Sequence, residues 1–184
     1  MSSFPNLLII GAMKGGTTSL HDYLSKHPDI FMSNPKEIHY YDDANRIKAE
    51  EYLSFFQSNR KVRGTTPQSY SKAHYNGFKN IPKKIFQDTP NVKLIYIVRD
   101  PFERMLSHAL ENRYGDDLSK IKANSESGHY WKTSLYHYQI SEYLKFFDKS
   151  QIHILTLESL KTNKLQELNK IFRFLGVPEL SDAK

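Results

Sequence analysis

The feature that most constrains the fold is a short apolar run that leads into a glycine-rich turn. Residues 7–10 are followed by Gly11-Ala12-Met13-Lys14-Gly15-Gly16 and then by Thr17-Thr18-Ser19. This order predicts a buried strand, a loop and the first turn of a helix, a layout that cradles phosphate groups. The usual nucleoside triphosphate loop has its lysine directly before the hydroxyl residue, whereas Lys14 comes three residues before Thr17. We therefore expect the loop to bind a phosphate-like anion whose carrier need not be a nucleoside triphosphate.

Apolar runs and helical patterns alternate along the rest of the chain. Three further apolar runs are typical of buried strands, residues 30–32, 92–98 and 152–157, and a shorter strand is predicted at residues 61–64. Helices are predicted at residues 17–27, 49–58, 77–87, 136–147 and 165–175 and behind the capping residue Asp100. This alternation predicts an α/β fold, a parallel sheet flanked by helices, as a single domain over residues 1–184. Such sheets bind ligands at the carboxyl ends of their strands.

Composition restricts the partners of this chain. Its 184 residues contain no cysteine, which excludes disulfides and thiolate zinc sites. The net charge of +6 favours anionic partners such as nucleotides, acidic sugars or nucleic acid. Nucleic acid is not expected, because the basic residues are dispersed along the chain. No apolar run near the N-terminus has the length of a signal peptide or membrane helix, so we expect a soluble cytoplasmic protein with no membrane partner.

The glycine-rich turn offers several groups to an anion. Backbone N–H groups of residues 14–18 are expected to point into one concavity at the positive end of the following helix. Gly15 and Gly16 let the backbone approach the anion closely, while Lys14 adds a charge and Thr17 and Thr18 add hydroxyl donors. The alternative interpretation is an ordinary strand-to-helix turn with a solvated lysine.

A second candidate group follows the clearest strand, residues 92–98. Arg99 stands at its carboxyl end, and Ser107 lies two helical turns into the next helix. Together they are suited to hold a second phosphate, with a bidentate contact from the guanidinium. Asp100 is interpreted as a helix cap, not a metal ligand, because Pro101 follows it directly. The alternative is a surface ion pair of Arg99 and a solvated Ser107.

A third candidate segment, Asn34-Pro35-Lys36-Glu37-Ile38-His39-Tyr40-Tyr41, follows the strand at residues 30–32. If the segment is extended, Glu37 and His39 lie on the same side. Either side chain could act as a general base for a hydroxyl that attacks near Lys14. The alternative interpretation is a solvated loop.

These segments together resemble the sulfotransferases that use 3′-phosphoadenosine 5′-phosphosulfate (PAPS), especially the carbohydrate type with its heparan sulfate sulfotransferase domains. The resemblance runs over residues 8–177 and rests on these motifs, in order: Gly11-Ala12-Met13-Lys14-Gly15-Gly16-Thr17-Thr18, His27-Pro28-Asp29, Lys36-Glu37-Ile38-His39-Tyr40-Tyr41, Thr66-Pro67, Arg99-Asp100-Pro101 with Arg104 and Ser107, Ser134-Leu135-Tyr136, and Phe174-Leu175-Gly176. It implies a P-loop-kinase-like sulfotransferase fold. It also implies transfer of a sulfuryl group from PAPS to a hydroxyl or amine on a carbohydrate, with 3′-phosphoadenosine 5′-phosphate (PAP) as product.

The resemblance also implies roles on the donor side. Residues Lys14, Gly15, Gly16, Thr17 and Thr18 would bind the 5′-phosphosulfate, and Arg99 and Ser107 would bind the 3′-phosphate. Lys14 would neutralise the charge that develops on the leaving oxygens. We therefore predict a site without a metal and a chemical step that does not depend on Mg²⁺.

On the acceptor side, the resemblance implies that Glu37 is the catalytic base. His39 would be a supporting or substitute base, and Thr66 would join both in binding the acceptor. Two features depart from the family. Its frequent Glu-Lys-Thr/Ser-Pro motif is replaced by Gly64-Thr65-Thr66-Pro67, and its Lys-Gly-x-x-Arg-like loop near the C-terminus has no counterpart before Lys184. We therefore expect a truncated or minimal form, or a site covered by another element or subunit.

Three alternative functions follow from the same residues. The first is a catalytically inactive module that binds PAPS or PAP. The second is a small nucleotide or sugar kinase, against which the position of Lys14 and the lack of a clear metal-binding aspartate both speak. The third is a basic protein that binds nucleic acid.

Overall fold

The computed structural model describes residues 4–42, 47–114 and 126–181, with residues 112–114 as backbone only. Five strands form one parallel sheet in this part of the chain: β1 Leu7–Gly11, β2 Ile30–Met32, β3 Val62–Thr65, β4 Lys93–Val98 and β5 Ile152–Thr156. Their order across the sheet is β2-β3-β1-β4-β5. All the neighbouring pairs are parallel, which confirms the predicted α/β fold.

Helices connect the strands and cover both faces of the sheet. They are α1 Thr17–Ser25, α2 Ala49–Ser54, α3 Ile81–Asp88, α4 Pro101–Tyr114, α5 His129–Thr133, α6 Tyr136–Tyr143, α7 Leu157–Thr162 and α8 Lys164–Leu175. Two short 3₁₀ turns lie at Asn76–Phe78 and Lys149–Gln151. Within the described residues, no helix is both long enough and apolar enough to cross a membrane.

The central strand β1 is buried along its whole length. Because successive side chains point to opposite faces, Leu7 and Ile9 pack into one apolar cluster, while Leu8 and Ile10 pack into another. Each fully buried side chain of this kind stabilises the fold by about 1.5–3 kcal/mol. Burial on both faces explains why β1 is a continuous apolar run.

The strands lie within one residue of their predicted bounds at every end, whereas several helices are shorter than predicted. The segment predicted as one helix over residues 77–87 is a 3₁₀ turn followed by α3, whose first turn contains Pro82. Leu157 was predicted to end a strand, but it begins α7 because the Thr156 hydroxyl accepts a bond from Ser159 N–H at 3.1 Å. The short helix α5 was not predicted.

Candidate active site

The glycine-rich loop is held against the end of β4. Ala12 N–H donates to the carbonyl of Ile97 at 2.7 Å, and Gly15 N–H donates to the carbonyl of Ala12 at 2.8 Å. Gly16 adopts a left-handed conformation with φ +100°, and a Cβ there would lie 2.6 Å from Leu157 Cδ1. The loop is therefore shaped by close backbone packing at both glycines of the Gly15-Gly16 pair.

Helix α1 begins directly after this loop, at Thr17, without a capping side-chain bond from the described residues. The first N–H groups of a helix have no partner inside the helix, and they carry its positive dipole end. Leu20 N–H already donates to the carbonyl of Gly16 at 3.1 Å. The N–H groups of Thr17, Thr18 and Ser19 thus remain as donors for an anion.

A cavity of about 350 Å³ opens at this edge of the sheet. Its lining residues are Lys14, Gly16, Thr17, Thr18, Ser19, Lys36, Gln68, Arg99, Glu111 and Leu157. It brings together the loop, the start of α1 and the end of β4, as the parallel sheet requires. Of the predicted donor-binding residues, Gly15 and Ser107 do not line it. Gly15 packs instead against the carbonyl of Ile97.

Both cations predicted to bind the donor are paired with carboxylates of α4. Lys14 Nζ lies 2.9 Å from Glu111 Oε1, and Arg99 Nη2 lies 2.9 Å from Glu103 Oε2. Ser107 stands four residues from each glutamate and so shares their side of the helix. The surface ion pair considered as the alternative for Arg99 is present, and Arg99 lines the cavity as well.

The start of α4 fixes the end of β4. Asp100 Oδ1 accepts bonds from the N–H groups of Phe102 and Glu103, both at 3.0 Å, which confirms its interpretation as a helix cap. Tyr136 donates its hydroxyl to the carbonyl of Arg99 at 2.7 Å. The backbone on both sides of the Arg99 side chain is therefore held in place.

Glu37 is connected to the cavity through two of its lining residues. Gln68 Nε2 donates to Glu37 Oε1 at 2.8 Å, and Lys36 Nζ lies 3.1 Å from the same oxygen. Lys36 Nζ also donates to Thr18 Oγ1 at 2.9 Å, while the Thr17 hydroxyl donates to Gln68 Oε1 at 3.4 Å. A continuous set of polar contacts thus joins the candidate base to the first turn of α1.

His39 lies in the same irregular segment but contacts a different partner. Its Nδ1 is 2.6 Å from Oδ2 of the buried Asp42. Within the described residues no hydrogen bond or ion pair joins His39 to Glu37, and His39 does not line the cavity. Its predicted role as a supporting or substitute base stays a prediction.

Thr66 does not reach the surface of the site. It is fully buried, and its hydroxyl lies 2.8 Å from His21 Nδ1. The contact therefore lies inside the fold, where burial lowers the pKa of His21. The prediction that the Thr66 side chain contacts the acceptor is corrected accordingly, because this side chain has no exposed surface in the described structure.

The sequence profile of the sulfotransferase domain matches residues 4–183. The chain belongs to the sulfotransferase family. Heparan sulfate glucosamine 3-O-sulfotransferase 5 of Mus musculus is 30% identical over 196 residues, which cover 97% of this chain and 55% of that protein. The chain thus spans about half the length of this relative.

Two solved sulfotransferases share the fold. A sulfotransferase from Alicyclobacillus acidocaldarius superposes with a TM-score of 0.79 at 23% identity, covering 96% of this chain and 83% of that one. Mouse sulfotransferase SULT7A1 complexed with PAP gives a TM-score of 0.62 at 16% identity, covering 97% of this chain and 60% of that one. The predicted family and the predicted fold are both confirmed.

Three of the lining residues to which sequence reasoning assigned no role carry a charge or an amide: Lys36, Gln68 and Glu111. Each of these three residues stands close in the sequence to a residue that has a predicted role or belongs to a motif of the family. Lys36 precedes Glu37, Gln68 follows Thr66-Pro67, and Glu111 comes one helical turn after Ser107.

In the described ranges, no cluster of three or more metal-ligating side chains has the geometry to hold a metal ion. The metal-free chemical step remains a prediction.

Proposed function

We propose that this protein transfers a sulfuryl group from PAPS to a hydroxyl or amine of a carbohydrate acceptor. The observation that carries the proposal is the cavity between the start of α1 and Arg99, with Glu37 connected to it through Lys36 and Gln68. The match to a heparan sulfate 3-O-sulfotransferase supports a carbohydrate acceptor. The cytoplasmic location and the single domain over residues 1–184 stay predictions.

The residues at the cavity fit a donor with two separate anionic groups. The N–H donors of the first turn of α1 and the ammonium of Lys14 suit a phosphosulfate, and Arg99 suits a second phosphate across the cavity. PAPS, when bound, supplies an activated sulfuryl group. Ser107 is proposed to assist Arg99 from the neighbouring face of α4.

Three residues of the chain then have separate roles in the reaction. Lys14 stabilises negative charge on the leaving oxygens by placing its ammonium beside them. Glu37 accepts the proton of the attacking hydroxyl or amine, and Gln68 holds the carboxylate in position through its 2.8 Å bond. Sulfuryl transfer, like phosphoryl transfer, depends mainly on in-line placement and charge stabilisation.

Calorimetry with PAP tests the donor site. We expect the wild type to bind PAP and Arg99→Ala to bind it about 10-fold or more weakly, because a hydrogen-bonded charge contact is worth about 1.5–3 kcal/mol. Arg173→Ala is the matched control, since Arg173 is exposed on α8 and pairs with Glu179 at 3.4 Å. Failure of the wild type to bind PAP, or equal binding by both variants, would contradict the donor assignment.

Transfer assays test the catalytic assignment separately. Glu37→Gln should keep PAP binding and lose transfer, because the amide cannot accept the proton. Glu142→Gln is the control, because Glu142 lies on α6 and forms an ion pair with Lys145. PAP binding without transfer by the wild type to any acceptor would favour the inactive module. Mg²⁺-dependent turnover of ATP would favour the kinase.

A further inference from the structure

Two basic side chains meet at Met13, the residue directly before Lys14. Lys72 Nζ lies 3.0 Å from Met13 Sδ, and Arg104 Nη1 donates to the Met13 carbonyl at 3.4 Å. Among the residues that the structure describes, neither cation has a carboxylate within ion-pairing distance. Two positive charges therefore lie beneath the glycine-rich loop without a contacting counter-charge.

The two cations differ in how well their donors are satisfied. Arg104 is fully buried and donates to Ser134 Oγ at 2.5 Å, to the carbonyl of Tyr130 and to that of Met13. Lys72 has three N–H donors, and its one contact with a described residue is to a thioether sulfur, which is a weak acceptor. Lys72 is half-buried, so its ammonium has donors that a ligand can engage, whereas the guanidinium of the fully buried Arg104 is already bonded to protein acceptors.

The position of Lys72 separates it from the donor groups. It is not among the residues that line the cavity shared by Lys14, the first turn of α1 and Arg99. Burial lowers the pKa of Lys72 to about 8, and the positive charge of Arg104 adds to this effect, while the charges of Glu37 and Glu111 oppose it. Lys72 is thus within electrostatic reach of the candidate base, Glu37.

The backbone around Lys72 is fixed on both sides. Ser71 N–H donates to the carbonyl of Ile10 on β1 at 3.0 Å, and Ala73 N–H donates to Gln139 Oε1 at 2.7 Å. The Lys72 carbonyl accepts a bond from Tyr75 N–H at 2.9 Å. A cation on such a segment is held in place before its ligand arrives, which reduces the entropic cost of binding.

We propose that Lys72 binds an anionic group, a carboxylate or a sulfate, on the acceptor. The inference rests on the proposed function and deepens it: the acceptor is an acidic carbohydrate, and its charge is recognised beside the reacting hydroxyl or amine. Arg104 stays with its protein partners and adds to the positive potential at the site.

The test compares two probes bound to the PAP-saturated protein. One is a heparan sulfate oligosaccharide, and the other is the same oligosaccharide made neutral by desulfation, N-acetylation and reduction of its carboxylates. We expect the wild type to prefer the acidic probe and Lys72→Met to reduce this preference about 10-fold or more. Lys79→Met, which alters an exposed lysine, should keep the preference. Equal preference in Lys72→Met and the wild type, or no preference in the wild type, would overturn the proposal.

Unfolding in urea distinguishes a binding lysine from a structural one. Because Lys72→Met removes a half-buried ammonium that has no contacting carboxylate among the described residues, the unfolding midpoint should equal or exceed that of the wild type. A clear fall in the midpoint would overturn the proposal, since it would mean that Lys72 stabilises the fold. A loss of PAP affinity as large as that of Arg99→Ala would also overturn it by placing Lys72 at the donor. Failure of the wild type to bind PAP would instead contradict the proposed function.

Discussion

Replacing Gly15 with alanine should damage the anion-binding loop, because the backbone at this position fits between two carbonyl groups. An added Cβ would lie 2.6 Å from the oxygen of Ile97 and 2.9 Å from that of Ala12. Ordinary van der Waals contact begins near 3.4 Å, so the Ile97 carbonyl would have to retreat by about 0.8 Å. The neighbouring atoms are backbone atoms, which cannot yield by a change of rotamer.

The same two carbonyls accept the bonds that shape the loop, from Ala12 N–H at 2.7 Å and from Gly15 N–H at 2.8 Å. Losing both bonds costs about 1–3 kcal/mol, and overpacking costs about 1–3 kcal/mol more. The lower entropy of the unfolded alanine chain offsets about 0.4–1 kcal/mol. We therefore expect Gly15→Ala to lower the free energy of unfolding by about 1–6 kcal/mol and to weaken PAP binding.

Urea unfolding and PAP calorimetry measure the two effects. Gly77→Ala is the matched control, because a Cβ there meets nothing within 4 Å. The control should lie within about 1 kcal/mol of the wild type and bind PAP as tightly. If Gly15→Ala unfolds within about 0.5 kcal/mol of Gly77→Ala and binds PAP equally well, close packing of this loop is refuted as the reason for its glycine.

Two further predictions concern charge. Glu111→Gln should tighten PAP binding about 2- to 5-fold in low salt, because it frees Lys14 from an exposed ion pair worth about 0.2–1 kcal/mol; unchanged affinity in calorimetry would refute this competition. The second concerns three histidines whose pKa values burial lowers to about 4, 3 and 4: His74, His108 and His129. In the unfolded chain these histidines bind protons near pH 6.5, whereas in the folded protein they bind them only near pH 4 or below. The free energy of unfolding should therefore fall as the pH is lowered from 6.5 to 4. The free energy of unfolding should change by at most about 1.4 kcal/mol per pH unit for each histidine, and by less for the more exposed His74. Urea unfolding measured at a series of pH values tests this, and a free energy of unfolding that does not change over this range would contradict it.

The sequence predicts those parts of the structure that depend on local physical chemistry. The strand at residues 92–98 is recognised because burial on both faces requires continuous apolar residues, and the Asp100 cap because it needs only the next three residues. The contacts between residues of the candidate site cannot be predicted from local sequence in this way. Glu111 reaches Lys14 across 97 positions, so only the fold brings the two together. The contact of the Lys72 ammonium with Met13, 59 positions away, has no local signature either.

Helix α4 explains why the two cations proposed to bind the donor have carboxylate partners. Glu103, Ser107 and Glu111 recur every four residues, so one side of the helix presents two carboxylates with a hydroxyl between them. Each glutamate pairs with a different cation, Arg99 or Lys14, at 2.9 Å. Exposed pairs of this kind are worth at most about 1 kcal/mol, whereas a charge-assisted bond to a phosphate is worth about 1.5–3 kcal/mol. A donor with two anionic groups can therefore displace both glutamates.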